Sequence, residues 1–284
     1  MSNKPIIGVL GGGQLARMLE EAARPLGIEI AILDEVNSPA RQISQNPRNV
    51  TGSFKDPEKI RELARRCDVL TVEIEHANTE VLEEIATKGV TLDFGEVKKV
   101  LIHPSWDTIR LIQDRYLQKE HFSQSRITIA PQITVGIGMS VLESLREAAE
   151  RFGFPFMLKS RKESYNGRGN FKVRGFYDFD TAVKTMGKLQ LYAEKWIPFE
   201  KELAVIVVRT EDDKGNLRDV HTYPAVETIH EDSICTSVFY PPRQVSTDVC
   251  AKASKTATEA IRTLKGRGIF AVEIFLLKDG KYHM

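Results

Sequence analysis

The sequence predicts an α/β protein in two parts, a Rossmann-like N-terminal domain followed by a second domain rich in strands. Three observations carry this reading. Strand and helix patterns alternate through the first hundred residues, a glycine triplet joins the first strand to the first helix, and from Leu191 onward strands dominate. Strands alternating with helices imply a parallel sheet covered on both faces, with short connections and right-handed crossovers.

The first apolar run, Ile6 to Leu10, breaks at Gly11-Gly12-Gly13. Gln14 to Leu26 then carries Leu15, Met18, Leu19, Ala22 and Leu26 at helical spacing. Ile28 to Leu33 reads as a second strand, Pro57 to Arg66 as a helix and Val69 to Val72 as a third strand, before Asn78-Thr79 open another helix to about Lys88. After His103-Pro104 the pattern changes. Trp106 to Phe122 reads as one long amphipathic helix with Ser105 at its N-cap. A helix near Ser140–Phe152 leads to the strand Phe154 to Leu158, a polar glycine-bearing loop from Ser160 to Asn170, a short strand Phe171 to Val173 and a helix near Phe179–Lys188. Strands follow at Leu191–Glu194, Glu202–Arg209, Asp219–Thr228 and Ile234–Phe239, with a helix from about Thr247 to Leu264. Gly268 to Leu277 is the last full strand, turning at Lys278-Asp279-Gly280-Lys281, an Asp-Gly hairpin signal whose second arm has barely begun at Met284. The expected domains are 1–104, a Rossmann-like unit, 105–189, with the central helix and the glycine-bearing loop, and 190–284, strand-rich and incomplete at its end.

With 284 residues, 42% of them hydrophobic, the chain has enough apolar material for a real core and for about two domains. Forty basic residues against 39 acidic give a net charge of +1, so no bulk field recruits nucleic acid or an anionic membrane. A phosphate-bearing ligand must therefore be held by a local constellation. No window approaches the roughly 18 apolar residues of a membrane span, and the apolar run at the start is too short for a signal peptide. Cys67, Cys235 and Cys250 are widely spaced and form no CxxC pair, which suits small buried thiols in a reducing compartment. A cytoplasmic protein is expected.

Five segments carry chemistry. The turn Gly11-Gly12-Gly13-Gln14-Leu15 lets backbone approach a ligand at a helix N-terminus, and Asp34 ends the second strand 21 positions after Gly13. This nearly satisfies a dinucleotide fingerprint, so NAD, another phosphate ligand and a plain tight turn all remain open. Glu73 and Glu75 lie just past the C-terminal end of the third strand, where open α/β sheets bind ligands, and alternation sends both to one side. They suit ribose hydroxyls or an amine, or else a solvated acidic loop. Lys159 leaves an apolar strand, and Tyr165-Asn166-Gly167-Arg168-Gly169 follows as either a flap closing over phosphates or a surface loop. Glu194, Ile197 and Glu202 span a strand–linker–strand segment that offers backbone groups to a purine edge and carboxylates to an amino group and a ribose. Finally, Glu273 is one carboxylate on an otherwise apolar strand, read as a Mg²⁺ ligand or as half of a buried ion pair.

Taken together and in this order, GGGQLARM, DVLTVEIEH, DTIRLIQDRYLQKEH, FPFMLKSR, YNGRGNF, YAEKWIPFEKELAVIVVR, YPAVETIH and GIFAVEIF resemble the ATP-grasp superfamily across the whole chain. More narrowly they resemble N5-carboxyaminoimidazole ribonucleotide synthetase and the equivalent N-terminal part of fungal phosphoribosylaminoimidazole carboxylase. The resemblance implies that ATP phosphorylates bicarbonate to carboxyphosphate, which delivers CO₂ to the amine of 5-aminoimidazole ribonucleotide. It implies that Gly13, Gln14 and Leu15, with Glu73 or Glu75, face the ribonucleotide. Lys159 and Arg115 would meet ATP phosphates, Glu194 and Ile197 the adenine, and Glu202 the ATP ribose, with Phe270 also in the nucleotide site. Glu273 would hold Mg²⁺, and Tyr165, Asn166 and Arg168 would form the catalytic flap, Arg168 steadying the carboxyphosphate. Homodimers are usual in the family.

The chain departs from the family pattern in three places. Arg115 stands where a phosphate-contacting lysine is usual, keeping charge but not shape. Asn166 replaces the flap aspartate, and an amide cannot take a proton or carry negative charge. The family continues beyond the final hairpin with Asn-Glu-x-Ala-Pro-Arg, a second metal carboxylate and substrate-phosphate groups, so the ATP-grasp domain is expected to be truncated and turnover impaired. The alternatives are a nucleotide-binding relative without turnover, an ATP-grasp ligase for another acid and amine and, remotely, an NAD-linked oxidoreductase. That last reading needs a second set of alternating βαβ units, which the strands after Leu191 do not supply.

Overall fold

The computed structural model describes residues 4–162, 169–231, 234–278 and 280–284. The chain divides into two compact units, residues 1–110 with 265–267 and residues 111–264 with 268–284.

In the first unit, β1 (Ile7–Leu10) lies between β2 (Ile30–Leu33) and β3 (Val69–Val72), both parallel to it. Helix α1 (Gln14–Ala23) follows β1, α2 (Pro57–Arg66) precedes β3, and α3 (Thr79–Lys88) follows it. The short strands β4 (Val90–Thr91) and β5 (Val97–Lys98) form a hairpin, and β6 (Leu101–Ile102) extends the sheet beside β3. Strand alternation sends Val9, Ile30 and Ile32 to one face with Ala16, Ala23 and Ala40. Leu10, Ala31, Leu33 and Leu70 go to the other with Ile60, Leu63, Leu82 and Ile85. Both faces are thus dry, which is why these strands read as apolar runs. The helix starts are equally local. Asp56 caps α2 through the backbone N–H groups of Glu58 and Lys59, and Asn78 caps α3 through those of Glu80 and Val81.

The apolar stripe of α1 does not pack as its spacing predicts. Leu15, Met18 and Leu19 are exposed, and the helix meets its sheet through Ala16 and Ala23 instead. Small residues let the helix lie close over the strands, leaving the leucines on the outer side.

The predicted long helix over 106–122 is two helices, α4 (Trp106–Gln113) and α5 (Arg115–Gln124). Asp114 breaks them apart. Its backbone is extended, its side chain caps α5 by accepting from the Leu117 N–H, and Arg161 grips the same carboxylate through Nε and Nη2 at 3.1 and 2.7 Å. Ser105 donates to the Asp107 carboxylate.

The second unit holds two sheets. β7 (Gln132–Val135), β8 (Phe156–Ser160), β9 (Asn170–Val173) and β10 (Leu191–Lys195) form a sheet of order β7-β10-β8-β9, all antiparallel. Helices α6 (Val141–Phe152) and α7 (Phe179–Met186) bury Leu145, Ala148, Ala182 and Met186 against it. Ser140 and Glu143 close a reciprocal capping box at the start of α6. β8 begins two residues later than its apolar run suggests and carries Lys159 within the strand.

The larger sheet has order β14-β13-β11-β15-β16, with β12 also on β11. Its strands are β11 (Phe199–Glu211), β12 (Leu217–Thr222), β13 (Val226–Glu231), β14 (Ile234–Phe239), β15 (Gly268–Leu277) and β16 (Tyr282–His283). The single strand expected over 219–228 is the pair β12 and β13, interrupted at Tyr223-Pro224-Ala225, where proline has no N–H for the ladder. Helix α8 (Thr247–Arg262) covers one face, packing Ala253, Ala257, Ala260 and Ile261 on Leu203, Val205, Val207, Phe270, Val272 and Ile274. The opposite face carries Glu202, Ile206, Ile269 and Glu273, and α8 does not cover it. Gly280, with φ of 76°, completes the turn into β16.

Candidate functional site

In the first unit the glycine turn is closed by the protein's own carboxylates. Gly12 donates its N–H to Asp34 Oδ2 at 2.6 Å, and Leu15 donates to Glu73 Oε1 at 3.3 Å. Gly11 sits at φ of 100°, where L side chains are strained, and a Cβ on Gly13 would stand 2.5 Å from Glu73 Oε1. Burial pushes the Glu73 carboxyl up, with Asp34 and Glu75 adding to it, against the Leu15 and Ala16 N–H groups that favour the anion. Glutamate thus occupies the helix terminus that a dinucleotide pyrophosphate would need, and Asp34 spends its carboxylate on the turn rather than on a ribose. Gly13, Gln14, Leu15, Glu73 and Glu75 are brought to this one turn, with Gln14 and Leu15 exposed.

In the second unit, Glu194 on β10 is 3% exposed and sits between two lysines. Lys159 of β8 reaches Glu194 Oε1 at 2.9 Å, and Lys119 of α5 donates to Oε2. The β8–β10 register sets Lys159 opposite Tyr192, so Glu194 lies diagonally across the same face. Burial raises the Glu194 carboxyl, but the two ammonium groups outweigh it and hold it below the usual carboxylate range. Burial and the charge of Lys159 pull Lys119 down, while Glu194 opposes them. Two cations facing one anion leave a surplus positive charge, which suits a phosphate.

The open face of the larger sheet holds Glu202, His230 and Glu273, whose ligand atoms all lie within 4.8 Å of one another. β13, β11 and β15 are neighbours, with Thr228 opposite Glu202 and Ala204 opposite Glu273. His230 Nδ1 stands 3.0 Å from Glu202 Oε2, without an aligned hydrogen bond. Burial raises the Glu202 carboxyl, Glu273 adds to this, and His230 counters it. The side chains of Phe199 and Phe275 stack beside this group at 4.5 Å.

The remaining sequence candidates are scattered. Glu273 is exposed rather than buried, so the expected desolvation cost of a lone charge does not arise. Phe270 points to the α8 face, away from Glu273, and belongs to the core. Ile197 is buried in the linker, its carbonyl accepting from Phe199 N–H at 2.9 Å. Arg115 follows Asp114 at the start of α5 and reaches Gln118 at 3.4 Å. Tyr165, Asn166 and Arg168 lie outside the described residues.

Sequence reasoning missed Lys119, His230 and a buried cluster around Glu227. Lys119 falls four residues after Arg115, one helical turn on, which is the signal that was available. His230 lies two residues beyond the end of the strand expected over 219–228, within β13. Glu227 is 3% exposed and binds Lys201 at 3.0 Å and Arg243 through its backbone N, Nε and Nη2. Those partners hold its carboxyl down at about 2.

The second unit thus pairs an antiparallel sheet carrying a lysine–glutamate–lysine cluster with a larger sheet whose open face carries Glu202 and Glu273, an arrangement of two sheets that defines its class of fold. The family model of the ATP-grasp domain matches residues 120–284, and that of the ribonucleotide synthetase preATP-grasp domain matches residues 4–102. The chain belongs to the ATP-grasp family. It is 46% identical over 275 residues to the phosphoribosylaminoimidazole carboxylase of Ogataea methanolica, a match covering 96% of this chain and 47% of that protein. The carboxyaminoimidazole ribonucleotide synthase of Aspergillus clavatus, solved with ATP, superposes with a TM-score of 0.90 at 44% identity, covering 100% of this chain and 69% of that one. The same enzyme in complex with ADP and 5-aminoimidazole ribonucleotide gives a TM-score of 0.88, with the same identity and coverage. The chain spans about half the length of the phosphoribosylaminoimidazole carboxylases that it matches.

Proposed function

We propose that this chain binds ATP in its second unit and uses it to carboxylate 5-aminoimidazole ribonucleotide in purine biosynthesis, acting in the cytoplasm. The observation that carries the reading is the Lys119–Glu194–Lys159 cluster, buried yet one positive charge in excess, in a chain 44% identical to an enzyme solved with ADP and this ribonucleotide. Bicarbonate oxygen attacks the γ-phosphorus, and the bond to the ADP oxygen breaks to give carboxyphosphate. Loss of phosphate then delivers CO₂ to the exocyclic amine, which sheds a proton as the C–N bond forms.

In this reading Lys159, with Arg115, meets the phosphates, Glu194 and Ile197 border the adenine, and Glu202 the ATP ribose. The turn at Gly13–Leu15 with Glu73 and Glu75 receives the ribonucleotide, and the flap holding Tyr165, Asn166 and Arg168 covers the transferring group. Glu273, an exposed carboxylate with Glu202 beside it, offers the hard oxygen donors that Mg²⁺ takes, so the residues fit the ion. When bound, Mg²⁺ neutralises charge on the phosphate oxygens. Beyond that turn, the exposed side chains of Met18 and Leu19 are an apolar face available to a second copy in a homodimer. The test is phosphate release measured with ATP, Mg²⁺ and bicarbonate, with and without the ribonucleotide. Release that depends on all of them supports the reading. Ribonucleotide-independent ATP hydrolysis that a different amine stimulates would replace it with a ligase for another acid and amine.

A second reading, nucleotide binding with little turnover, is favoured by Asn166, an amide where the family carries an aspartate. Tight ADP binding with no ribonucleotide-dependent phosphate release would select it.

A further inference from the structure

We infer that Glu202, His230 and Glu273 form a site for a zinc-class divalent transition-metal ion in the nucleotide-free chain. The donor set decides the class. Magnesium takes oxygen ligands and keeps its waters, whereas one imidazole with two carboxylates is a set that zinc and cobalt accept readily. The three side chains come from β11, β13 and β15, neighbours in one hydrogen-bonded sheet, so rigid backbone holds them rather than loops.

The geometry needs little adjustment. Ligand atoms that already lie within 4.8 Å must close to about 3.3 Å for a tetrahedral ion with bonds of roughly 2.0–2.1 Å. Glu202 Oε2 and His230 Nδ1 are already 3.0 Å apart, so the closing movement falls on Glu273. Glu273 is exposed and can make it by a change of rotamer, which also gives the ion an entry path. His230 Nδ1 is buried and has no aligned hydrogen bond, so a metal would give that ring nitrogen a partner once it is free of its proton. Three protein ligands leave one position for water or phosphate. Two carboxylates side by side without a cation repel, and a divalent ion removes that repulsion. One consequence rests on the proposed function. Glu202 and Glu273 are also the residues assigned to the ATP ribose and to Mg²⁺, so a transition metal seated here competes with nucleotide.

Cobalt is the probe. Titrated into the nucleotide-free chain, Co²⁺ is expected to give visible d–d absorption that stoichiometric Zn²⁺ abolishes and millimolar Mg²⁺ does not. Glu273→Gln and His230→Asn should each weaken Co²⁺ at least tenfold, and Glu273 is exposed, so its variant keeps the fold. Co²⁺ binding unchanged in Glu273→Gln, or displacement by Mg²⁺ as effective as by Zn²⁺, overturns the site. ADP calorimetry is run separately on metal-free and Zn²⁺-loaded chain. Affinity at least tenfold lower in the loaded chain supports competition, and equal affinity overturns it. Cobalt binding without any ADP binding leaves the metal site standing and removes the nucleotide reading.

Discussion

Lys159 Nζ lies 2.9 Å from Glu194 Oε1, and the other oxygen of that carboxylate takes Lys119, so one buried glutamate on β10 holds together a cation from β8 and a cation from α5. The lysine side chains are 22% and 17% exposed. Removing the glutamate therefore strands two charges with little water. Glu194→Gln should destabilise the chain by about 3 kcal/mol in urea denaturation, the scale of a broken buried pair. Adding Lys119→Met should restore part of that loss. A single variant as stable as the parent would show that the lysines reach solvent freely.

Lys159 is also the cation assigned to nucleotide phosphate. Lys159→Ala should weaken ADP binding by about 1.5–3 kcal/mol, the scale of a charged hydrogen bond. Calorimetry on the parent and the variant reads this directly. NADH binding to the parent, with no binding of adenosine phosphates, would turn the reading toward the dinucleotide alternative.

Glu227 gives the fold a dependence on acid. Its partners Arg243 and Lys201 hold the folded-state carboxyl at about 2, below the usual 4.5. A depressed carboxyl contributes stability that is fully present above its unfolded value and is lost as pH falls through the folded one. Stability should therefore drop between about pH 4.5 and 2, and Glu227→Gln, already weaker at neutral pH, should show a shallower drop in melting temperature over that window. Identical slopes in the two chains would mean that other carboxylates control acid unfolding.

What could be read from sequence divides along local and non-local lines. The parallel strands, the helix over Pro57–Arg66 and the alternation of β15 follow from period and caps that a few residues define. The break at Asp114 does not, because Arg161 secures it from 47 positions along the chain. The stripe on α1 misleads for a related reason. Periodicity marks an apolar face, but the small residues Ala16 and Ala23 decide which face can approach the sheet. At the site, Lys159 and Glu273 stand out as polar residues on apolar strands, and Glu194 and Glu202 as the carboxylates of a strand–linker–strand segment. Their grouping depends on strand order, since β15 follows α8 in sequence yet lies beside β11 in space. His230 and Lys119 join them only through that order and through the packing of α5.

The last expectation concerns turnover and rests on the amide at position 166. In the family pattern the flap carries an aspartate between Tyr165 and Gly167, and Asn166 can hydrogen-bond there but can neither accept a proton nor supply negative charge. Removing one preorganised electrostatic partner of a transition state commonly costs about 10²–10³ in rate. Nucleotide binding should survive, because Lys159, Glu194 and Glu202 do not depend on that carboxylate. With ATP, Mg²⁺, bicarbonate and ribonucleotide, phosphate release by the chain should fall well below the roughly 1–10³ s⁻¹ of working enzymes, and Asn166→Asp should raise it at least tenfold. ADP affinity should change less than threefold between the two, which separates a chemical role from a binding one. If the parent already turns over at about 1 s⁻¹ and Asn166→Asp adds nothing, the proton and charge that the aspartate would handle are managed by another group, and Asn166 is a neutral replacement.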